Sequence, residues 1–178
     1  MVRRITVVGA GGAGKSTFSR RLGSALDLPV FDLDQAFAGA APAERAAIVA
    51  ALIQGERWVL DGDHLPTQPA RFAAADAVVF LDLSTVVCFW RLVRRAAANR
   101  GARRAEGTAQ HPVGGRWQTA AWVLRYRARA RPAVLRNLSE HATACRVRTA
   151  RTSADAEQLL LELTGAAVGS RSIAEECR

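Results

Sequence analysis

Gly9-Ala10-Gly11-Gly12-Ala13-Gly14-Lys15-Ser16 satisfies the pattern G-x-x-x-x-G-K-[ST]. In front of it, residues 3–9 end in the β-branched run RITVVG, which reads as a short buried strand. Behind it, residues 15–26 carry Phe18, Leu22 and Ala25 at helical spacing. A strand that stops at glycine and a helix that begins at lysine make a cradle for phosphate. The glycines let the chain turn so that successive N–H groups point inward. The helix adds the positive end of its dipole. Lys15 is placed to reach the β- and γ-phosphate oxygens, and the Ser16 hydroxyl to ligate Mg²⁺.

Strand and helix signals go on alternating from there. PVFDLD (29–34), RWVLDGD (57–63), DAVVFLDL (76–83) and ACRVRT (144–149) predict four more strands. Between them come a helix over 41–55, with Pro42 in its first turn, and one capped by Ser84 that runs to about Asn99. Residues 100–115 hold four glycines and a proline among polar residues and predict a mobile loop. Helix resumes near Arg116, with Pro132 expected to kink or restart it, and Ser153 is expected to cap a final helix. From Gly165 the tail is small-residue rich and expected to fray. Five strands separated by helices imply a parallel sheet covered on both faces.

With 178 residues, 49% of them hydrophobic, the chain has room for one domain with a real core. No apolar run approaches the ~18 residues of a membrane span. The N-terminal apolar stretch is too short for a signal-peptide core, and three cysteines without metal-like spacing suit a reducing cytosol. The formal charge is +9, and residues 91–136 hold twelve arginines against one acid, Glu106. Either something anionic binds that segment or it is a solvated helical surface. Lys15 is the only lysine. That excludes the Asn/Thr-Lys-x-Asp guanine reader of Ras-type GTPases, and the length leaves no space for motor or transporter modules. A small phosphotransferase remains.

The stretches VVGAGGAGKSTFSRRLGSALDLPVFDLD, GERWVLDGDH, ARFAAADAVVFLDLSTVVCFWRLVRR and the RARARP region resemble the nucleoside-monophosphate-kinase group of P-loop kinases. Within it they look most like the adenylate-kinase-like topology modulation proteins. The resemblance covers about the first three quarters of the chain. It implies a three-layer P-loop NTPase fold, a five-stranded parallel sheet of order 2-3-1-4-5 with helices on both faces and an Arg-rich lid. Residues 1–165 would form one kinase domain with its lid at about 100–116, and 166–178 a flexible tail.

Read as strand residues, Asp32 and Asp34 share one face. The resemblance implies that Asp34 serves as base or metal-shell residue and that both meet the acceptor; either could instead cap the next helix. Asp61 would orient Mg²⁺ together with Ser16, and Gly62 would let substrate approach the backbone. Asp63-His64 stand where relatives usually have Asn-Tyr, and an added carboxylate disfavours an anionic acceptor unless metal or arginine compensates. His64 could act as a base or be a bland loop histidine. Arg71 would pair with an acceptor phosphate or lie on the surface. Arg91 matches an arginine that stacks on adenine, and Arg95 one that contacts phosphate. Residues Gly9 to Thr17, with Gly11, Gly12, Ala13 and Gly14 at their centre, would hold ATP.

The expected activity is transfer of the ATP γ-phosphoryl group, with Mg²⁺, to a small acceptor by a cytoplasmic monomer or homodimer. The alternatives are a nucleotide-dependent nucleic-acid-binding regulator of DNA topology that uses the arginine segment, and a nucleotide-binding module without turnover.

Overall fold

Strand β1 (Arg4–Gly9) forms the centre of the sheet, and five of its six residues, on both faces, are buried. It pairs in parallel with β3 (Trp58–Asp61) on one side and β4 (Ala77–Leu81) on the other. Beyond them lie β2 (Val30–Asp32) and β5 (Arg146–Ala150), giving the order β2-β3-β1-β4-β5. This is the order and strand sense expected for a P-loop kinase fold. The computed structural model describes residues 2–106 and 115–175, with side chains at all of these except 96, 99–106, 115–124 and 166–175.

Strand alternation divides the core into two layers. Ile5, Val7, Val59, Val79 and Leu81 face α1 (Lys15–Leu26) and α7 (Ser153–Glu175), meeting Phe18, Leu22, Leu159 and Leu160. Val8, Leu60, Val78 and Phe80 face the other way, toward Val49 of α3 (Pro42–Leu52), Phe72 of α4 (Gln68–Ala74) and Val134 of α6 (Gly115–His141). On α1 the buried set is Phe18, Ser19, Leu22, Gly23 and Leu26; Ala25, expected inside, is exposed. The stripe turns because a Cβ at Gly23 would sit 2.3 Å from Val30 Cγ2, so helix and strand touch where there is no side chain. Asp76 ties the sheet's lower edge: its Oδ2 accepts from Arg3 N and Arg4 N at 2.8 and 2.9 Å, and its Oδ1 accepts from the Arg4 side chain.

Several boundaries differ from expectation. The second strand stops at Asp32, and Leu33–Ala36 form the short helix α2. Asp32 Oδ1 accepts from Asp34 N at 2.9 Å, which turns the chain out of the sheet. Asp32 and Asp34 are therefore a cap and a first-turn residue, not two residues on one strand face. A 3₁₀ turn (Leu65–Thr67) and α4 form where no helix is expected. Ser84 Oγ does accept from Val87 N at the start of α5 (Thr85–Glu106), but that helix runs past Asn99. The expected lid over 100–116 thus starts as helix, and residues 107–114 lie outside the described residues. Helix α6 continues through Pro132, and α7 through Gly165 to Glu175. Thr152, not Ser153, caps α7: its Oγ1 accepts from Asp155 N at 3.1 Å, and Asp155 Oδ2 accepts from Thr152 N at 3.0 Å.

Candidate functional site

The loop between β1 and α1 is set by three glycines with left-handed φ: 146° at Gly9, 81° at Gly12 and 96° at Gly14. A Cβ on Gly12 would lie 2.3 Å from the main-chain oxygen of Cys88, and one on Gly9 would lie 2.5 Å from that of Leu81. The loop therefore lies flat against α5 and β4. Replacing Gly12 with alanine adds strain at φ and a main-chain clash, together about 1–3 kcal/mol. The expected result is a fall in melting temperature of roughly 3–10 °C, read by thermal unfolding; an unchanged midpoint would show that the loop can relax away from α5.

Lys15 is the first residue of α1 and folds back over the loop, with Nζ donating to Ala10 O at 3.2 Å. Ser16 follows, and its hydroxyl lies near enough to Asp61 to favour the ionised carboxylate. Asp61 ends β3 beside Val7 of β1 and Asp32 of β2. It is 3% exposed, and its Oδ1 has no hydrogen-bond partner. Burial raises its pKa, opposed by the Ser16 hydroxyl and by Lys15, with Asp32 and Asp34 adding to the rise. A buried carboxylate oxygen without a donor, next to a hydroxyl, is a hard-oxygen pair of the kind Mg²⁺ takes when phosphates and waters supply its other ligands. Among the described residues there is no cluster of three or more His, Cys, Asp or Glu that could hold a metal unaided.

Past β3 the chain leaves through Gly62, whose φ of 151° and close approach to Leu33 Cβ (2.9 Å for a built Cβ) leave no space for a side chain. Arg71 from α4 holds this exit, donating from Nη1 to Gly62 O at 2.9 Å and from Nη2 to His64 O at 3.3 Å. It is fully buried. Neither a surface arginine nor an exposed phosphate ligand, it satisfies carbonyls of the loop. Burial pushes its pKa down to about 10 against the pull of Asp63 and Asp61.

Asp63 is positioned by a half-buried relay: Gln68 Nε2 donates to Asp63 Oδ1 at 3.2 Å, and Asn137 Nδ2 donates to Gln68 Oε1 at 3.0 Å. Burial pushes the Asp63 carboxyl up to about 7, against Lys15 and Arg71. Gln68, Asn137 and Arg45 are site-forming residues that the sequence reading missed. Gln68 and Asn137 carry no motif, and only the packing of α4 on α6 brings them together. Asp34 lies in the first turn of α2, exposed, and its charge is felt at Asp61, Asp63 and His64. His64 packs edge-on against Phe37 at 4.9 Å, and burial together with Arg45 and Arg71 lowers its pKa.

On the opposite side of the loop, Arg91 Nη1 donates to Ala13 O at 3.1 Å and Nη2 to Ser153 Oγ at 2.8 Å. It thus spans the gap between the phosphate loop and the start of α7. Arg95, one turn further along α5, is exposed. Arg131 is spent on Asp82: three N–H···O contacts of 2.8–3.0 Å join them, and Asp82 is buried. Side chains of Arg100, Arg103, Arg104 and Arg116 lie outside those described. Trp58 is buried and Trp90 is 61% exposed; the side chains of Trp117 and Trp122 are not among those described.

No known family pattern and no curated sequence matches the chain. Solved structures do match it in fold. A shikimate kinase from Acinetobacter baumannii in complex with shikimate aligns over 93% of this chain and 95% of its own, with 18% identity and a TM-score of 0.57. A shikimate kinase from Bacteroides thetaiotaomicron aligns over 93% and 98%, with 16% identity and a TM-score of 0.54. A gluconokinase from Sinorhizobium meliloti 1021 aligns over 99% and 98%, with 15% identity and a TM-score of 0.50. At such identities the likeness is one of fold. No described helix is long and apolar enough to cross a membrane.

Proposed function

We propose that the protein is an ATP-dependent kinase that transfers the γ-phosphoryl group to a hydroxyl of a small acceptor. The observation that supports this most is the assembly of a left-handed glycine loop, Lys15 and the Ser16–Asp61 pair at one end of the sheet. Amides of the Gly9–Ser16 loop and Thr17 bind the triphosphate, and the Lys15 ammonium exchanges Ala10 O for phosphate oxygens. Ser16 and Asp61 hold Mg²⁺, which supplies charge neutralisation of the triphosphate. Arg91, with a flat guanidinium in the gap leading to α7, borders the base, and Arg95 meets phosphate.

On the other side of the triphosphate, Gly62 gives the acceptor access to the backbone. Asp34 and Asp63 line that space with Asp32 behind them. Asp34 takes the acceptor's hydroxyl proton as the new O–P bond forms and the bond to ADP breaks. Arg71 keeps the Gly62–His64 exit in shape. Of the arginines that suggest a nucleic-acid regulator of DNA topology, Arg91 and Arg131 already serve the loop and Asp82, which favours the kinase reading. Residues 1–165 acting as one domain with the lid at 100–116, a flexible tail at 166–178, a cytoplasmic location and a monomer or homodimer belong to the same proposal.

Asp34→Asn tests the base. Turnover should fall by about two orders of magnitude while Mg-ATP binding, measured by calorimetry, stays unchanged. An unaltered rate would return Asp34 to a helix-turn role.

A further inference from the structure

The chain carries 25 basic residues against 16 acidic ones. Even so, Asp32, Asp34, Asp61 and Asp63, all at the carboxyl ends of β2 and β3, take part in none of the ion pairs among the described residues. Those pairs join Arg4 to Asp76, Arg21 to Glu157, Arg57 to Asp27, Arg131 to Asp82 and His141 to Glu140. The negative charge of the acceptor side is left standing in a protein with arginine to spare.

Among the described residues, three cations close by are committed. Lys15 belongs to the triphosphate. The terminal nitrogens of Arg71 point at main-chain oxygens, and its side chain is closed to any ligand. Arg45 donates from Nε to Ala40 O at 3.1 Å, and its guanidinium carbon lies 5.8 Å from the centre of the Phe37 ring. One divalent cation on Asp61 still leaves Asp34 without an ion pair, and Asp63 with only the partial offset of Lys15 and Arg71 at a distance. In their ionised form carboxylates only accept hydrogen bonds, so their complement is a ligand rich in O–H or N–H donors. The buried Asp61 Oδ1, lacking a hydrogen-bond partner, likewise awaits a donor or a cation.

We propose that the acceptor is a polyhydroxylated small molecule with no phosphate or carboxylate of its own, either uncharged or bearing an amine, and that Asp34 and Asp63 select it. The proposal rests on the kinase reading and deepens it. An anion of the same skeleton would place its charge against two carboxylates. It should be disfavoured by roughly two orders of magnitude, the size of a like-charge contact near a protein surface.

The test uses the full chain, [γ-³²P]ATP, Mg²⁺ and a deproteinised cell extract separated by ion exchange into anionic, neutral and cationic pools. Label should move into products of the neutral or cationic pool at least tenfold faster than into products of the anionic pool. Asp63→Asn should narrow that ratio by about tenfold; an unchanged ratio would take Asp63 out of the proposal. Transfer mainly to the anionic pool, lost in Arg45→Ala, overturns it. So does transfer to no pool by protein that binds Mg-ATP normally. Failure to bind Mg-ATP at all sinks the kinase reading instead.

Discussion

Lys15→Ala is expected to leave the protein folded and to cut phosphoryl transfer by about a thousandfold, or ~4 kcal/mol of transition-state stabilisation. The only lysine of the chain is also the only ammonium side chain the loop can present. Two neighbouring guanidiniums are not free to replace it: Arg91 is engaged by Ala13 O and Ser153 Oγ, and Arg71 by Gly62 O and His64 O. In the folded protein Lys15 makes one bond, to Ala10 O, from a half-exposed position. Its loss should therefore cost no more than ~0.5 kcal/mol of stability, a shift of about 2 °C or less. ADP formation and a melting curve on the same preparation separate the two effects. Normal turnover in this variant would refute the kinase assignment.

The phosphate loop was legible because everything that makes it is local: a β-branched run, glycines at fixed spacing, then a helix. Asp34 was half legible. An aspartate after a short strand can continue the strand or follow a capping residue, and here the Asp32 side chain, bonded to Asp34 N, decides. The helix over Gln68–Ala74 was not legible, since seven residues with a proline at the second give too little periodicity. Arg71 sits in a stretch, ARFAAAD, that reads as surface. Its burial is fixed by two carbonyls that the sharp exit of β3 leaves without donors, and no local pattern announces those. The same holds for the arginine-rich segment. Composition shows that positive charge collects there, while Asp82 and Ser153, distant in sequence, assign Arg131 and Arg91 their places.

Arg71→Met is expected to lower stability by about 3–5 kcal/mol, as removal of one member of a buried charged network does. For a chain of this size that is a drop of roughly 6–20 °C in melting temperature. Methionine restores part of the volume but no donor. Gly62 O and His64 O are left unbonded in the interior, each at about 1–3 kcal/mol. Arg71→Lys should recover only part, because one ammonium cannot serve carbonyls two residues apart in the fork that a guanidinium provides.

The loss should also depend on pH. Folding raises the Asp63 carboxyl from 3.8 to about 7, chiefly by burial. The folded protein therefore keeps a proton that the unfolded chain releases, and this carboxyl subtracts stability as pH climbs through that interval. Arg71 limits the rise by favouring the ionised form. Without it the carboxyl holds its proton to higher pH, and the subtraction continues further. The gap in melting temperature between the parent protein and Arg71→Met should thus be wider at pH 8.5 than at pH 5.5. A gap of equal size at both would mean that the arginine acts through its two carbonyl bonds alone, with no influence on the acceptor-side charge.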